Sequence, residues 1–223
     1  MPVSCSLYIL SSTLDTDQLA EELPEYSHSN YNDDVEDDLL TTVDDVVETQ
    51  RGLAATVRYD RPLKIGARPG ENPWVKNTIN ARIRFVEDLS SPGFLVLGSK
   101  EKRTQTVSQV AAILNVMPND CELREISSTA ITRIVADDSI DSTFGWWEDV
   151  GPRTSSASVT GDIDQSTIAQ DIDNTGNPTW VIFISEYKNM KVGVANNNVV
   201  FYGDGWDGDE MDDYIVNFVL PRL

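Results

Sequence analysis

Two stretches of this chain open in the same way, and this repetition constrains its fold more than any other feature. Residues 11–23 (SSTLDTDQLAEEL) and 158–172 (SVTGDIDQSTIAQDI) both contain Asp-x-Asp-Gln followed by an alanine inside an apolar helical stripe. Later in each half comes strand, turn, strand, glycine and helix. The first copy runs through 78–86 (TINARIRFV), 94–98 (FLVLG) and 104–116; the second through 190–195 (MKVGVA), 199–203 (VVFYG) and 209–220. Each half therefore reads β-α-β-β-β-α. The expected fold class is α+β, with a duplicated unit and an antiparallel sheet backed by helices.

The elements fall into three parts. Residues 1–115 form the first repeat, 116–150 an insert or connecting segment, and 151–223 the second repeat. Within the first, residues 25–50 are a polar, acidic insert in which Val35, Leu39, Leu40 and Val43 make a weak helical stripe. Residues 60–77 hold three prolines and two glycines and predict a loop; the Ser-Ser-Pro-Gly of 90–93 predicts a turn. Residues 122–136 (ELREISSTAITRIVA) predict a strand, and Trp146 and Trp147, flanked by Gly145 and Gly151, a loop. The pair is a candidate stacking or partner anchor, or a cover over a core.

Charge is distributed unevenly. The net charge is −20, but residues 1–50 contain 13 acids and no Lys or Arg, residues 51–103 contain 11 basic residues and 5 acids, and residues 104–223 return to 6 and 19. A retained basic segment either contacts a polyanion or pairs with the acidic stretch at 28–48. Asp outnumbers Glu 24 to 13 and Lys supplies only 6 of the 17 basic residues. Such carboxylate excess is best tolerated where salt screens it, so a salt-rich cytoplasm is the expected setting. No apolar run approaches the roughly 18 residues of a membrane helix, and the first residues lack the basic segment of a secretory signal. No membrane association is expected.

The duplicated order resembles the TATA-binding protein family, in which each repeat runs strand, helix, strands and long helix. Residues 11–23 resemble the family's strand-turn-helix opening. Gly52-Leu53 resembles the G-L of F-P-G-L, Arg82-Ile83-Arg84-Phe85 resembles L-L-I-F, and 95–100 (LVLGSK) resembles V-C-T-G-A-K. In the second half, 177–180 (NPTW) and 200–203 (VFYG) stand where F-P-G-L and V-C-T-G would. The resemblance implies a saddle-like, curved antiparallel sheet, double-stranded DNA as ligand and a protein of the transcription machinery as partner. The family kinks DNA with four phenylalanine wedges in the minor groove. Only Phe85 stands at such a position here; Gln50, Asn177 and Val194 occupy the others. Leu7 and Arg133 stand where the family has paired asparagines, and Leu97 and Tyr202 where it has base-contacting threonines.

Alternation in 78–86 puts Asn80, Arg82 and Arg84 on one face and Ile79, Ala81, Ile83 and Phe85 on the other. The resemblance turns the Phe85 face toward the ligand; burial turns it toward the core. The candidate nucleic-acid contacts are Arg82, Arg84, Phe85, Lys100, Lys102 and Arg103. No catalytic constellation is evident, so no enzyme activity, metal or cofactor is expected. Asp204, Asp207, Asp209 and Asp212 lack the spacing of a calcium loop, and no glutamate closes it. His28 lies alone in a polar stretch, and Cys5 and Cys121 suit packing. The expectation is a divergent TATA-binding-protein-like regulator touching DNA through its basic first repeat; the alternative is a protein-interaction module on the same scaffold without DNA binding.

Overall fold

Long β-branched and alternating segments dominate both halves of the chain. The computed structural model, which describes residues 2–49, 51–66, 68, 71–87, 92–98 and 100–223 (the side chains of 100 and 101 excepted), is α+β with antiparallel strand pairing. It divides into two units, Tyr8–Glu122 and Met1–Leu7 with Leu123–Leu223. The first strand, β1 (Val3–Leu10), contributes its early residues to one and its last residues to the other.

In the 8–122 unit, α1 (Thr16–Glu22) starts where the Asp15 side chain accepts the Gln18 N–H. There follow β2 (Ser27–Asn32), β3 (Asp37–Thr49), β4 (Gly52–Lys64), β5 (Trp74–Val86), β6 (Gly93–Leu97) and α2 (Lys100–Ile113). The sheet order is β2-β3-β4-β5-β6 and then the end of β1. Strands β4 and β5 pair without a break from Gly52↔Val86 to Lys64↔Trp74. They run through much of the segment expected as a loop, leaving 65–73 to connect them. Pro62 is tolerated because it lies beyond Tyr59, the last β4 residue paired with β3, so its missing N–H breaks no ladder on that side. The expected turn at 90–93 falls mostly outside the described residues.

The acidic insert is a correction. In place of a helix stand β2 and β3, joined by a turn that holds Val35; Leu39, Leu40 and Val43 lie in β3, where Thr41 and Val43 alternate inward while their neighbours face out. Val57, Tyr59, Ala81, Ile83, Phe85, Phe94 and Val96 then meet Val107, Val110 and Ala111 of α2 and Leu19 and Leu23 near α1. Each Val, Leu, Ile or Phe side chain among them contributes about 1.5–3 kcal/mol on burial. Gly52 closes the β3–β4 hairpin at φ +133°, and a Cβ there would fall 2.1 Å from the Phe85 carbonyl oxygen.

The other unit contains α3 (Ser128–Asp138), β8 (Ser139–Gly151), β9 (Thr154–Thr160), α4 (Thr167–Asp173), β10 (Asn177–Ser185), β11 (Met190–Ala195), β12 (Asn198–Phe201) and α5 (Gly208–Tyr214); the short β7 (Cys121–Leu123) precedes them. Its sheet order is the start of β1, then β12-β11-β10-β8-β9. Two expectations are corrected here. The strand expected over 122–136 is mostly α3: Ser127 caps it by accepting the Ala130 N–H, and Ala130, Ile131 and Ile134 form a helical inner stripe. Trp146 and Trp147 lie within strand β8, not a loop.

The halves share a meander followed by a helix: β4-β5-β6 then α2, and β10-β11-β12 then α5. Their opening strands are placed differently. β1, the strand before α1, lies beside β6, the last strand of its meander, whereas β9, the strand before α4, lies at the sheet edge beside β8. The repeated Asp-x-Asp-Gln makes the same local bond in both, since Asp162 accepts the Gln165 N–H as Asp15 does that of Gln18. In the second copy, however, the helix begins later, capped by Ser166.

Candidate functional site

The faces of β5 decide where the expected nucleic-acid contacts go. Ile79, Ala81, Ile83 and Phe85 point to the helix-covered side, and Phe85 is fully buried with its ring centroid 6.3 Å from that of Phe94. Burial, not the family's wedge position, governs the Phe85 face, because α2 packs on it through Val107, Val110 and Ala111. Arg82 stands on the opposite face, half-buried. Arg84 is on that face too but only 3% exposed. Lys102 and Arg103 belong to α2 on the apolar side: the Tyr59 hydroxyl donates to the Lys102 carbonyl at 3.5 Å, and buried Arg103 donates from Nη1 to the Gly98 carbonyl at 3.1 Å. The Lys100 side chain lies outside the described residues, as does Gln50. The described members of the expected set therefore do not converge: Arg82 and the α2 residues come from opposite sides of the sheet, and Phe85 and Arg103 are packed within the fold.

The basic segment finds its counter-charges in the acidic insert. Strand β3 brings Asp37 to 2.5 Å from Lys76 Nζ and Asp44 to 3.4 Å from Arg58 Nε. Arg58 also donates to Asn80 at 3.2 Å, Lys76 to the Asp38 carbonyl at 3.3 Å, and Arg61 to Gln105 at 2.8 Å. The hydrogen bond between Asp37 and Lys76 holds the carboxyl below its usual range and the ammonium above its own. Between the two readings of the basic residues, pairing with the 28–48 stretch accounts for Arg58 and Lys76.

A second surface was missed by reading Trp146 as a loop residue. In the 123–223 unit, helix α3 packs on one side of the sheet, against β10 and β8. On the opposite side, Trp146 and Trp180 face each other as a cross-strand pair, 39% and 36% exposed. Phe144 meets the Trp180 ring edge-on with centroids 4.9 Å apart. A Cβ on Gly193 would sit 3.2 Å from both the Trp180 indole nitrogen and the Tyr202 ring, so the absence of a side chain there lets these rings draw together. Burial raises the Tyr202 hydroxyl pKa, and Lys191 Nζ lies 5.7 Å from that ring centre. A bulge at Thr179 shifts the register between Pro178↔Trp147 and Trp180↔Trp146, keeping Trp180 on the face of Trp146. The wedge position at Val194 is buried on the other side, paired with Val181 and Val199, and Asn177 is exposed at the start of β10. Of the other family positions, Leu7 and Leu97 are buried, Arg133 is exposed on α3, and only Tyr202 joins the aromatic face.

Asp138 and Tyr214, both buried in this unit, build structure. Asp138 ends α3 at 1% exposure and accepts hydrogen bonds from Ser185 at 2.7 Å and Tyr214 at 2.5 Å. Burial, then the Asp138 charge, pushes the Tyr214 hydroxyl far above the usual tyrosine range. Cys5 and Cys121 are buried free thiols, the latter with its pKa raised by burial and then by Asp120. His28 is exposed on β2 beside Asn30 at 2.8 Å. Among the described residues no helix is long and apolar enough to cross a membrane. Compared with known families and curated proteins, the chain matches no family model and no curated protein.

Proposed function

We propose that this chain is a non-catalytic binding module that recognises a polypeptide through the open sheet face of its 123–223 unit. The observation carrying this reading is the aromatic face of Phe144, Trp146, Trp180 and Tyr202, left half-exposed on the side of the sheet away from α3. Aromatic rings combine large apolar area with few torsions to freeze, which is why they anchor protein interfaces. The 123–223 segment carries 17 acids against 6 basic residues, so the complementary segment is apolar and basic. The alternative of DNA contact through the first repeat loses ground, because Arg58 and Lys76 are engaged by β3 and Arg84 and Arg103 are buried. In a salt-rich cytoplasm phosphate contacts would be further weakened, while apolar contact would not. Of the TATA-binding-protein resemblance this proposal keeps an antiparallel sheet with one open, ligand-facing side; the differently placed opening strands argue against a two-fold copy.

The test is a selection from a displayed library of random peptides, run beside an anisotropy titration with random-sequence duplex DNA. Enriched peptides should be apolar and basic and should lose affinity in Trp146→Ala and Trp180→Ala. Saturable DNA binding with a steep salt slope, lost in Arg82→Ala, would restore the DNA reading.

A further inference from the structure

A cavity of about 310 Å³ lies on the side of the β8–β10 sheet opposite the aromatic face, entirely within the 123–223 unit. Ile131 and Val135 of α3 and Val181 of β10 give it an apolar wall, and Trp147 lines it from β8. The tryptophan ring is folded back along its own strand: a Cβ on Gly145 would lie 2.1 Å from its Cη2 atom. Two carboxylates, Asp164 and Asp173, supply the charged part of the lining, and no basic residue contributes to it.

The carboxylates are held in place by bonds that leave them able to do more. Asp173 accepts the Trp147 indole N–H at 3.0 Å, and Asp164 accepts the Ser142 backbone N–H at 2.9 Å. In each the bond uses one oxygen. Among the described residues the other oxygen receives no hydrogen bond, and neither carboxylate has a basic partner. The cavity thus offers apolar surface, an aromatic ring and two positioned anionic acceptors, at the lower end of the volume range of small-molecule sites. An anion would meet only repulsion. A neutral apolar molecule would leave both carboxylates, which sit on exposed residues, to water alone and would gain no charge-assisted bond. A bare metal ion would gain nothing from the apolar wall. The complementary chemistry is an organic ammonium on an apolar body, satisfied by the carboxylates and by the indole.

We infer that this cavity is a binding site for a small organic cation, an alkyl- or aralkylammonium. This reading is independent of the polypeptide reading, which concerns the opposite face of the sheet. It is tested by titrating the protein with 2-phenylethylammonium, 2-phenylethanol and 3-phenylpropanoate. Calorimetry gives the affinities, and the Trp147 indole N–H resonance reports the location. The ammonium should bind with one-to-one stoichiometry, about tenfold more tightly than the alcohol, and the carboxylate not at all. Asp164→Asn and Asp173→Asn should each weaken the ammonium by about two- to fivefold and leave the alcohol unchanged, with unaltered melting temperatures showing that the fold is kept. Equal affinity for ammonium and alcohol would overturn the inference. So would binding of the carboxylate, a Trp147 signal that does not move, or no binding of the ammonium up to about 10 mM.

Discussion

The two units carry nearly the same net charge by different means, and their exposed sheet faces differ accordingly. Residues 8–122 hold 20 acids and 11 basic residues, whereas residues 123–223 hold 17 and 6. In the first, opposite charges lie on neighbouring or next-but-one strands, so the sheet satisfies them locally: Asp44 with Arg58 between β3 and β4, Asp37 with Lys76 between β3 and β5. In the second, the face opposite the helices carries Phe144, Trp146, Trp180 and Tyr202 in place of ion pairs. A cluster of basic residues in the sequence is therefore not a ligand surface when an acidic strand lies beside it. A pair of tryptophans at one register position is the stronger sign of recognition.

The comparison can be broken most forcefully at Phe85. Phe85→Ala should cost about 3–5 kcal/mol in denaturant unfolding, while Trp180→Ala on the open face should cost far less. A tolerated Phe85→Ala would put that side chain on a ligand face, as the family resemblance expects, and would erase the distinction between the units. Next in size is Gly145→Ala. Its Cβ collides with the Trp147 ring, so the ring must leave its place or the strand must shift, at about 1–3 kcal/mol. The accompanying change should appear in the Trp147 indole resonance and not in signals from residues 8–122.

Tyr214→Phe removes a donor from buried Asp138 and should cost about 1–3 kcal/mol by the same unfolding assay. Because the Tyr214 pKa is raised in the folded state, its contribution is complete below the usual tyrosine range. It falls away as pH climbs above that range, where the unfolded chain ionises first. Stability of the wild type should thus decline in alkali more steeply than that of Tyr214→Phe. Smallest is the exposed Asp37–Lys76 pair. A carbon-13 titration should place the Asp37 carboxyl below the usual aspartate range, returning toward it in Lys76→Ala. The stability this pair adds is lost as pH falls through the lowered Asp37 value and again as pH rises through the raised Lys76 value. Its effect on the melting temperature should be the least of these.

Legibility from sequence tracked how strongly each segment is patterned. Helix α1 and strands β10 and β11 stand out because capping, apolar runs and turn residues agree. Strands β2 and β3 do not, since β2 is exposed along its length and the inward alternation of β3 is confined to Thr41 and Val43. Helix α3 misleads because Ile131, Ile134 and Val135 are β-branched; its true sign is the Ser127 cap and the spacing of its buried residues. Alternation in 78–86 was readable, but which face is inward depends on the placement of α2, a tertiary fact. The aromatic face was legible only in part. Trp146 and Trp180 are distant in sequence, and their alignment rests on the Thr179 bulge, for which no residue pattern gives notice.

The measurement that bears most directly on the central claim compares two double variants against one ligand, a peptide recovered by display selection on the wild type. Trp146→Ala with Trp180→Ala should weaken that peptide at least tenfold while the protein stays folded, and Arg58→Ala with Arg82→Ala should leave its affinity unchanged. If the arginine variant loses the peptide and the tryptophan variant keeps it, recognition belongs to the basic strands, and the assignment of the two sheet faces is wrong.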